Sequence, residues 1–497
     1  MSRAGLLLMI LLWPTVGSAD VHVDWVEETA GVALALDASD AVYTVHYVYN
    51  PGGDIVLTKR AADGTLLWER SYDQTDPTRW ERASWVATDP AGNVVVCGTS
   101  MSGYSNPVEA ASVLMKFDPQ GALLWRRVYE SSFDGSSARQ CLIDEAGDIY
   151  VLGIGSGPPG YVTKVRRFAP DGTPGWVYYD AVGIGAPVNM KFTPDGALLL
   201  VGRGIYGSVN GYAKFGRDGR AIWSRGGILS LTVGDAAGDA AGNTYIVHQD
   251  YAAGSGTAVA KLDPAGATLW SRTHPLSGFR VEVGSDQCPV VCGFPNAGSG
   301  GASFVKLDPA GALRWANPDA DGPLGLLLHA RLIVDRQDAV YLAAGTLFEM
   351  AVCKVSSEGA SEWTLTMPRS YANGIALASD GDVFVVGGAT ARIDQVAPAL
   401  AGGPEGLPAG GLSLSGGWPN PAGPAVTLGF SLPAAGHARL SVYDVTGRHV
   451  ATLVDGERPA GPQRVRLVTS ALPNGVYLCR LEHGASIRTR RFTVLNP

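Results

Sequence analysis

Cysteine is scarce in this chain: six in 497 residues, Cys97, Cys141, Cys288, Cys292, Cys353 and Cys479. No two are spaced Cys-x-x-Cys, which removes the usual framework of a structural zinc site. Histidine is equally sparse, and His22, His46, His248, His274, His329, His437, His449 and His483 neither cluster nor form His-Glu-x-x-His. That excludes a zinc hydrolase of the helical type. An excess of basic charge is missing too: 38 Lys and Arg stand against 46 Asp and Glu, a net charge of −8. Nucleic acid is therefore not an expected partner. No apolar run reaches the roughly 20 residues a membrane helix needs. Charged residues are only 17% of the chain while hydrophobic ones are 46%, so a large core is available and disorder is excluded.

Catalytic patterns are absent as well. Paired carboxylates have no regular spacing. Gly155 to Gly160 (GSGPPG) fits a GxGxxG string, but two prolines and the lack of a following helix make it a loop. Asn317 to Gly322 (NPDADG) shares a fragment of a calcium loop without its downstream ligands. No catalytic residue, metal or cofactor is expected from these residues.

What the chain has is repetition. Lys116 to Trp125 reads KFDPQGALLW, Lys261 to Trp270 KLDPAGATLW, and Lys306 to Trp315 KLDPAGALRW. Glycine precedes tryptophan by four residues each time. The same frame holds at Gly64/Trp68, Gly121/Trp125, Gly172/Trp176, Gly219/Trp223, Gly266/Trp270, Gly311/Trp315 and Gly359/Trp363, seven copies some 45 to 57 residues apart. Such a period signals a propeller or solenoid. In Asp-Pro-x-Gly, Asp accepts from backbone N–H groups, Pro presets φ, and Gly permits φ > 0 where a hairpin closes. A tryptophan at a fixed place in every repeat is explained by packing between neighbouring units.

A second motif alternates with the first: Asp89 to Gly98 (DPAGNVVVCG), Asp144 to Gly153 (DEAGDIYVLG) and Asp239 to Val247 (DAAGNTYIV), with weaker copies from Asp37, Thr193, Ser285, Asp335 and Ala378. Each is a turn followed by a strand apolar at nearly every position, as burial on both faces demands. Each unit thus has four strands. Two flank the Asp-x-x-Gly turn, a third carries Lys-x-Asp, and the fourth carries Trp. The ends complement each other. Trp25 lies on a fourth strand with no third before it, and Ala391 to Asp394 is a third strand with no fourth after it. Pairing the two closes a ring and removes the sheet edge. The count favours eight blades, with seven as the alternative. Cys97 and Cys292 occupy the same place in different repeats and read as buried thiols. A disulfide is the alternative in an exported chain.

Export is expected from the first residues. Arg3, an apolar stretch from Leu6 to Trp13 and the small residues Gly17, Ser18 and Ala19 form a secretory signal, with cleavage before Asp20. No cysteine follows to carry a lipid anchor. The expected organisation is a signal peptide over 1–19, a propeller over 20–395, a Gly/Pro/Ala linker over 396–411 and a small β-sandwich over 412–497. Alternating stretches near 426–432, 438–443, 463–467 and 476–481 support that sandwich. Its last strand is basic, with Arg488, Arg490 and Arg491.

The C-terminal module resembles the sorting domain of the type IX secretion system and the related Ig-like domain of the flagellar hook-capping family. The carrying pieces are Pro419 to Pro421, Phe430 to Pro433, Val442 to Val450, Pro459 to Gly461, Asn474 to Tyr477 and Arg490 to Val494. The resemblance implies passage across an outer membrane by the secretion machinery, and a final place in the medium or on the outer cell surface of a double-membrane bacterium. The repeats resemble bacterial β-propeller repeats and the eight-bladed quinoprotein-like group, whose blades dock through Gly-x-x-x-Trp. That group holds quinone-dependent dehydrogenases and non-enzymatic assembly factors. The adjacent cysteines of the dehydrogenases have no counterpart here.

Within each unit the two short turns fall on one face of the ring, and the two variable connections fall on the other. Binding usually resides on such variable loops. The connection from second to third strand carries Tyr49, Tyr104, Tyr161, Tyr206, Tyr251, Phe294 or Phe348, which could ring the channel as stacking surfaces or could cap blade cores. The expectation is an exported, non-enzymatic propeller that binds an extracellular or envelope protein or glycan. The alternatives are a propeller enzyme and a purely structural surface protein.

Overall fold

The structure is a computed structural model that describes residues 21–48, 54–72, 79–102, 110–132, 136–157, 160–179, 186–203, 209–229, 234–250, 256–295, 302–320, 330–345, 349–367, 371–395, 412–418, 425–469, 472–484 and 486–494. The expected signal segment over 1–19 and the expected linker over 396–411 lie outside these residues. The described chain divides into two compact units, one built on Trp25–Ile393 and one on Asp394–Pro497.

The first unit is an eight-bladed β-propeller, each blade a four-stranded antiparallel sheet. The first strand of each blade is innermost: Ala33–Leu36, Trp80–Thr88, Ser137–Ile143, Ala186–Phe192, Asp235–Gly238, Leu276–Val283, Arg331–Val334 and Ala372–Leu377. Each of these eight touches the next, and the last touches the first. The closing blade is made from both ends of the propeller. Its sheet runs Val21–Glu27, Thr390–Gln395, Val383–Gly387, Ala372–Leu377, so the N-terminal strand supplies its outer edge.

The short turns explain why the repeats fold this way. In blade two, Asp89 Oδ1 accepts the N–H groups of Ala91 and Asn93, both at 2.9 Å, and Gly92 sits at φ 79°. That positive φ suits glycine and costs an L-residue roughly 1–2 kcal/mol. Blade six differs from the expected frame. Its turn starts at Gly284 rather than Ser285, and Gln287 takes the left-handed position at φ 61°. There Asp286, two residues in, holds Lys306 at 2.9 Å.

The third-strand lysine welds turn to blade and blade to blade. Lys116 Nζ lies 2.8 Å from Asp89 Oδ2, with both side chains 5% exposed. It also donates to Pro170 O of blade three at 3.2 Å. Trp125 Nε1 donates to the same carbonyl at 3.0 Å. The indole lies over Gly172, where an added Cβ would sit 2.9 Å from the ring. The pattern recurs with Lys59, Trp68 and Gly121, and with Lys261, Trp270 and Gly311. Trp25, Trp176, Trp223 and Trp315 likewise cover Gly64, Gly219, Gly266 and Gly359 of the following blade. Trp363 is buried without a glycine beneath it, because no hairpin joins the third and fourth strands of the closing blade. In that blade Arg392 stands in for lysine. It reaches Asp382 at 2.6 Å and donates to Ala62 O of blade one at 2.9 Å. Trp25 Nε1 donates to Ala62 O as well, at 2.9 Å.

The six cysteines are all buried and free. Cys97 and Cys292 pair with equivalent residues of their inner strands, Trp85 and Arg280. Burial pushes the Cys353 thiol up to about 12 and the Cys479 thiol up to about 11, so both stay protonated at neutral pH.

The second unit packs two sheets around one core. Ser413–Trp418, Ala425–Leu432 and Gly461–Val468 form one; His449–Arg458, Gly436–Asp444, Gly475–His483 and Ser486–Val494 form the other, in that order. Leu428 and Phe430 of the first meet Leu440, Leu481 and Phe492 of the second. The Asp444 turn repeats the propeller's chemistry. Thr446 and Arg448 donate to its carboxylate and hold it down to about 2. Arg488, Arg490 and Arg491 stand exposed on the edge strand.

Candidate functional site in the central channel

The inner strands define one equivalent position around the ring. It lies four residues before each turn and pairs with the second strand just past a β-bulge in most blades. Blades one and eight place Ala33 and Gly374 there, and blade two places Trp85. Blades three to seven carry Gln140, Asn189, Asp235, Arg280 and Arg331. Five polar side chains thus sit where the repeat elsewhere uses apolar ones.

Most of them clip one blade to the next. Gln140 donates to Met190 O at 3.0 Å and accepts Met190 N–H at 2.8 Å. Asp235 accepts the N–H of Val281 at 3.2 Å. Arg280 Nε donates to Ala330 O and Arg331 Nε to Asn373 O, both at 3.0 Å. Asn373 in turn donates to Gly31 O at 2.9 Å, which carries the chain of clips across the closure.

Two residues further along, nearer the short-turn face, Lys191 of blade four reaches past blade five to blade six. Its ammonium lies 2.9 Å from Asp235 of blade five and 2.7 Å from Glu282 of blade six. The intervening blade has Ala237 at that level, which leaves room for the crossing. Burial pulls the Lys191 ammonium down, but the two carboxylates outweigh it and hold the group protonated. Glu282 is raised by burial, against the pull of Lys191, which it shares with Asp235, and of Arg280.

The opposite end of the inner strands is cationic. Arg82 is the third residue of Trp80–Thr88, and Arg139 the third of Ser137–Ile143. Both are solvent-exposed. Because first strands enter from the variable-connection face, these arginines stand at that mouth of the channel. The Arg82 guanidinium lies over the Tyr47 ring, 5.1 Å from its centre. Arg331 is pushed down to about 10, first by burial and then by Arg280 beside it, and remains charged. Across the inner strands five cations face two carboxylates, Asp235 and Glu282. A third carboxylate, Glu81, has a fully buried side chain 3.7 Å from Arg126. The described inner strands thus carry more cations than carboxylates in a chain of net charge −8.

None of these residues is conspicuous in the linear sequence. The signal that could have found them is the aligned set of eight inner strands, read for the position that varies most in polarity. Of the aromatics expected to ring the channel, Tyr49, Tyr104, Tyr206, Tyr251 and Phe348 lie outside the described residues, as do the side chains of Tyr161 and Phe294. Among the described residues no cluster of three metal-ligating side chains occurs. Asn317 instead donates to Gly359 O and Ser361 Oγ, both at 3.0 Å, within the blade docking network.

Residues 417–495 match the family described as the secretion system C-terminal sorting domain. No curated protein matches the chain. Among solved structures, the Dos1 propeller superposes with a TM-score of 0.50 at 10% identity, over 77% of this chain and 95% of that one. PorZ, described as a surface component of the type-IX secretion system of Porphyromonas gingivalis, gives a TM-score of 0.32 at 11% identity, over 94% and 81%. The β-propeller domain of the Trilobed protease from Pyrococcus furiosus gives 0.38 at 9% identity, over 70% and 96%. At such identities the first of these speaks for the fold, and the other two add no weight. The chain is a β-propeller followed by a secretion sorting tail, and that tail points to secretion. No helix among the described residues is long and apolar enough to cross a membrane.

Proposed function

We propose that this protein is an exported binding scaffold whose propeller takes its ligand at the variable-connection mouth of the channel. The sorting tail addresses it to the secretion machinery, which delivers it to the medium or the outer surface. The ligand is an extracellular or envelope protein or glycan, and the propeller binds it without chemistry. One observation carries the binding reading. At a single equivalent inner-strand position the blades diverge into Gln140, Asn189, Asp235, Arg280 and Arg331, while the docking residues repeat. These five carry four kinds of polar side chain, more variety than a repeated clip between blades requires, and a ligand that meets all blades at once in one channel would use it.

The export half is tested by fractionating a host that carries this secretion system. Full-length chain should reach the medium or outer surface, with a mature N-terminus at Asp20. A variant lacking 412–497 should stay in the periplasm. Equal export of both forms would overturn the sorting role.

A further inference from the structure

We propose that Arg82 and Arg139 form an oxyanion-recognition site at the variable-connection mouth of the channel, for a carboxylate or phosphate group of the ligand. This deepens the binding reading above and rests on it. Four arginines occupy inner strands, and they fall into two kinds. Arg280 and Arg331 have Nε committed to the carbonyl of the next blade. Arg82 and Arg139 have no carboxylate or carbonyl partner among the described residues. Arg82 lies over the face of Tyr47. Arg139 has no such contact among the described residues.

The placement of Arg139 is particular. It is the extra residue between Ala138 and Gln140, where the strand register shifts. A bulge of this kind re-aims a side chain away from the regular ladder. The equivalent residues of other bulged blades are Ser84, Val188, Phe279 and Asn373, none charged. Blades two and three are neighbours, and the inner strands that carry Arg82 and Arg139 touch one another. Partial desolvation and then repulsion from Arg82 lower the Arg139 pKa, so the two cations feel one another. The far tier of the channel is different: there Lys191 already has Asp235 and Glu282. Among the described inner-strand residues Arg82 and Arg139 are the cations without an ion-pair or carbonyl partner, and planar guanidiniums bind carboxylate and phosphate through paired N–H donors.

The test uses the full exported chain and calorimetric titration at low salt, with three probes: oligogalacturonate, inorganic phosphate and neutral galactose oligomers. Binding of either anion, none of the neutral sugar, and a loss of at least tenfold in affinity for both Arg82→Gln and Arg139→Gln supports the site. Affinity should also fall as salt rises. The anion that binds more tightly identifies carboxylate or phosphate as the group read. Arg139→Lys should recover only part of the affinity, since it restores charge without the fork. Absence of binding to both anions, or equal binding by wild type and Arg139→Gln, overturns the proposal. Thermal melts of the same samples show whether each variant is folded, and fractionation reads export separately.

Discussion

The rim of this propeller and its channel are built on opposite rules. At the rim the same residues recur: an Asp-x-x-Gly turn, a lysine bridging the turn to the next blade, a tryptophan over a glycine. In the channel the equivalent position holds a different side chain in almost every blade. The rim solves a problem that arises eight times, how one twisted sheet docks on the next. The channel is formed once by all blades together, so each contributes a single part. Repetition marks what holds the ring, and its breakdown marks what the ring surrounds.

The largest effect should come from attacking closure. Removing the Val21–Glu27 strand strips the eighth blade of its outer edge and takes Trp25 from Gly64. Loss of one packed tryptophan costs about 3–5 kcal/mol, and the strand pairing adds to it. Calorimetry should show a lower and broader transition. An unchanged melt would mean that the ring does not depend on its N-terminal clasp.

Next comes the rim itself. Lys116→Ala leaves Asp89 buried without its cation and should cost about 3–5 kcal/mol by denaturant unfolding. Gln140→Ala probes an inner clip and should cost about 1–3 kcal/mol, because Met190 N–H and C=O lose their partner in the interior. A larger loss at Gln140 than at Lys116 would reverse the division between rim and channel.

The smallest effect is a pH dependence confined to the rim. Burial would raise Asp37, Asp89 and Asp239, but their lysines and N–H donors outweigh it and hold each below the usual 3.8. A depressed native pKa contributes stability that is present above the unfolded value and is lost as pH falls. The melting temperature should stay level above about pH 5 and drop as the pH passes below 4. A melting temperature that rises on acidification would contradict the Asp–Lys pairing.

The rim was legible in the sequence because each of its parts appears many times at one spacing. Gly121 and Trp125, for example, announce themselves through six other pairs. Closure was legible from two partial units that complete each other. The channel was hidden for the same reason. Lys191, Asp235 and Glu282 lie some 45 residues apart with no shared motif, and only the stacking of blades four to six brings the ammonium within 3 Å of both carboxylates. Arg139 depends on a bulge, and a bulge inserts one residue without changing the apolar pattern around it. The turn of blade six shifted by one residue because Gln287 accepts the left-handed conformation that glycine takes in blades two to five and eight, as Asp40 and Asp338 do in blades one and seven.

The most direct test of the whole account is one thermal melt, run with and without oligogalacturonate and with phosphate in its place, on wild type and on the Arg82→Gln/Arg139→Gln double variant. The account predicts that one of the two anions raises the wild-type melting temperature. The double variant should melt where unliganded wild type does, and gain nothing from either anion. A variant that melts far lower, or that is stabilised by the anion as much as wild type, would show that these arginines belong to the rim's structural rule and that the mouth of the channel is not where the ligand is read.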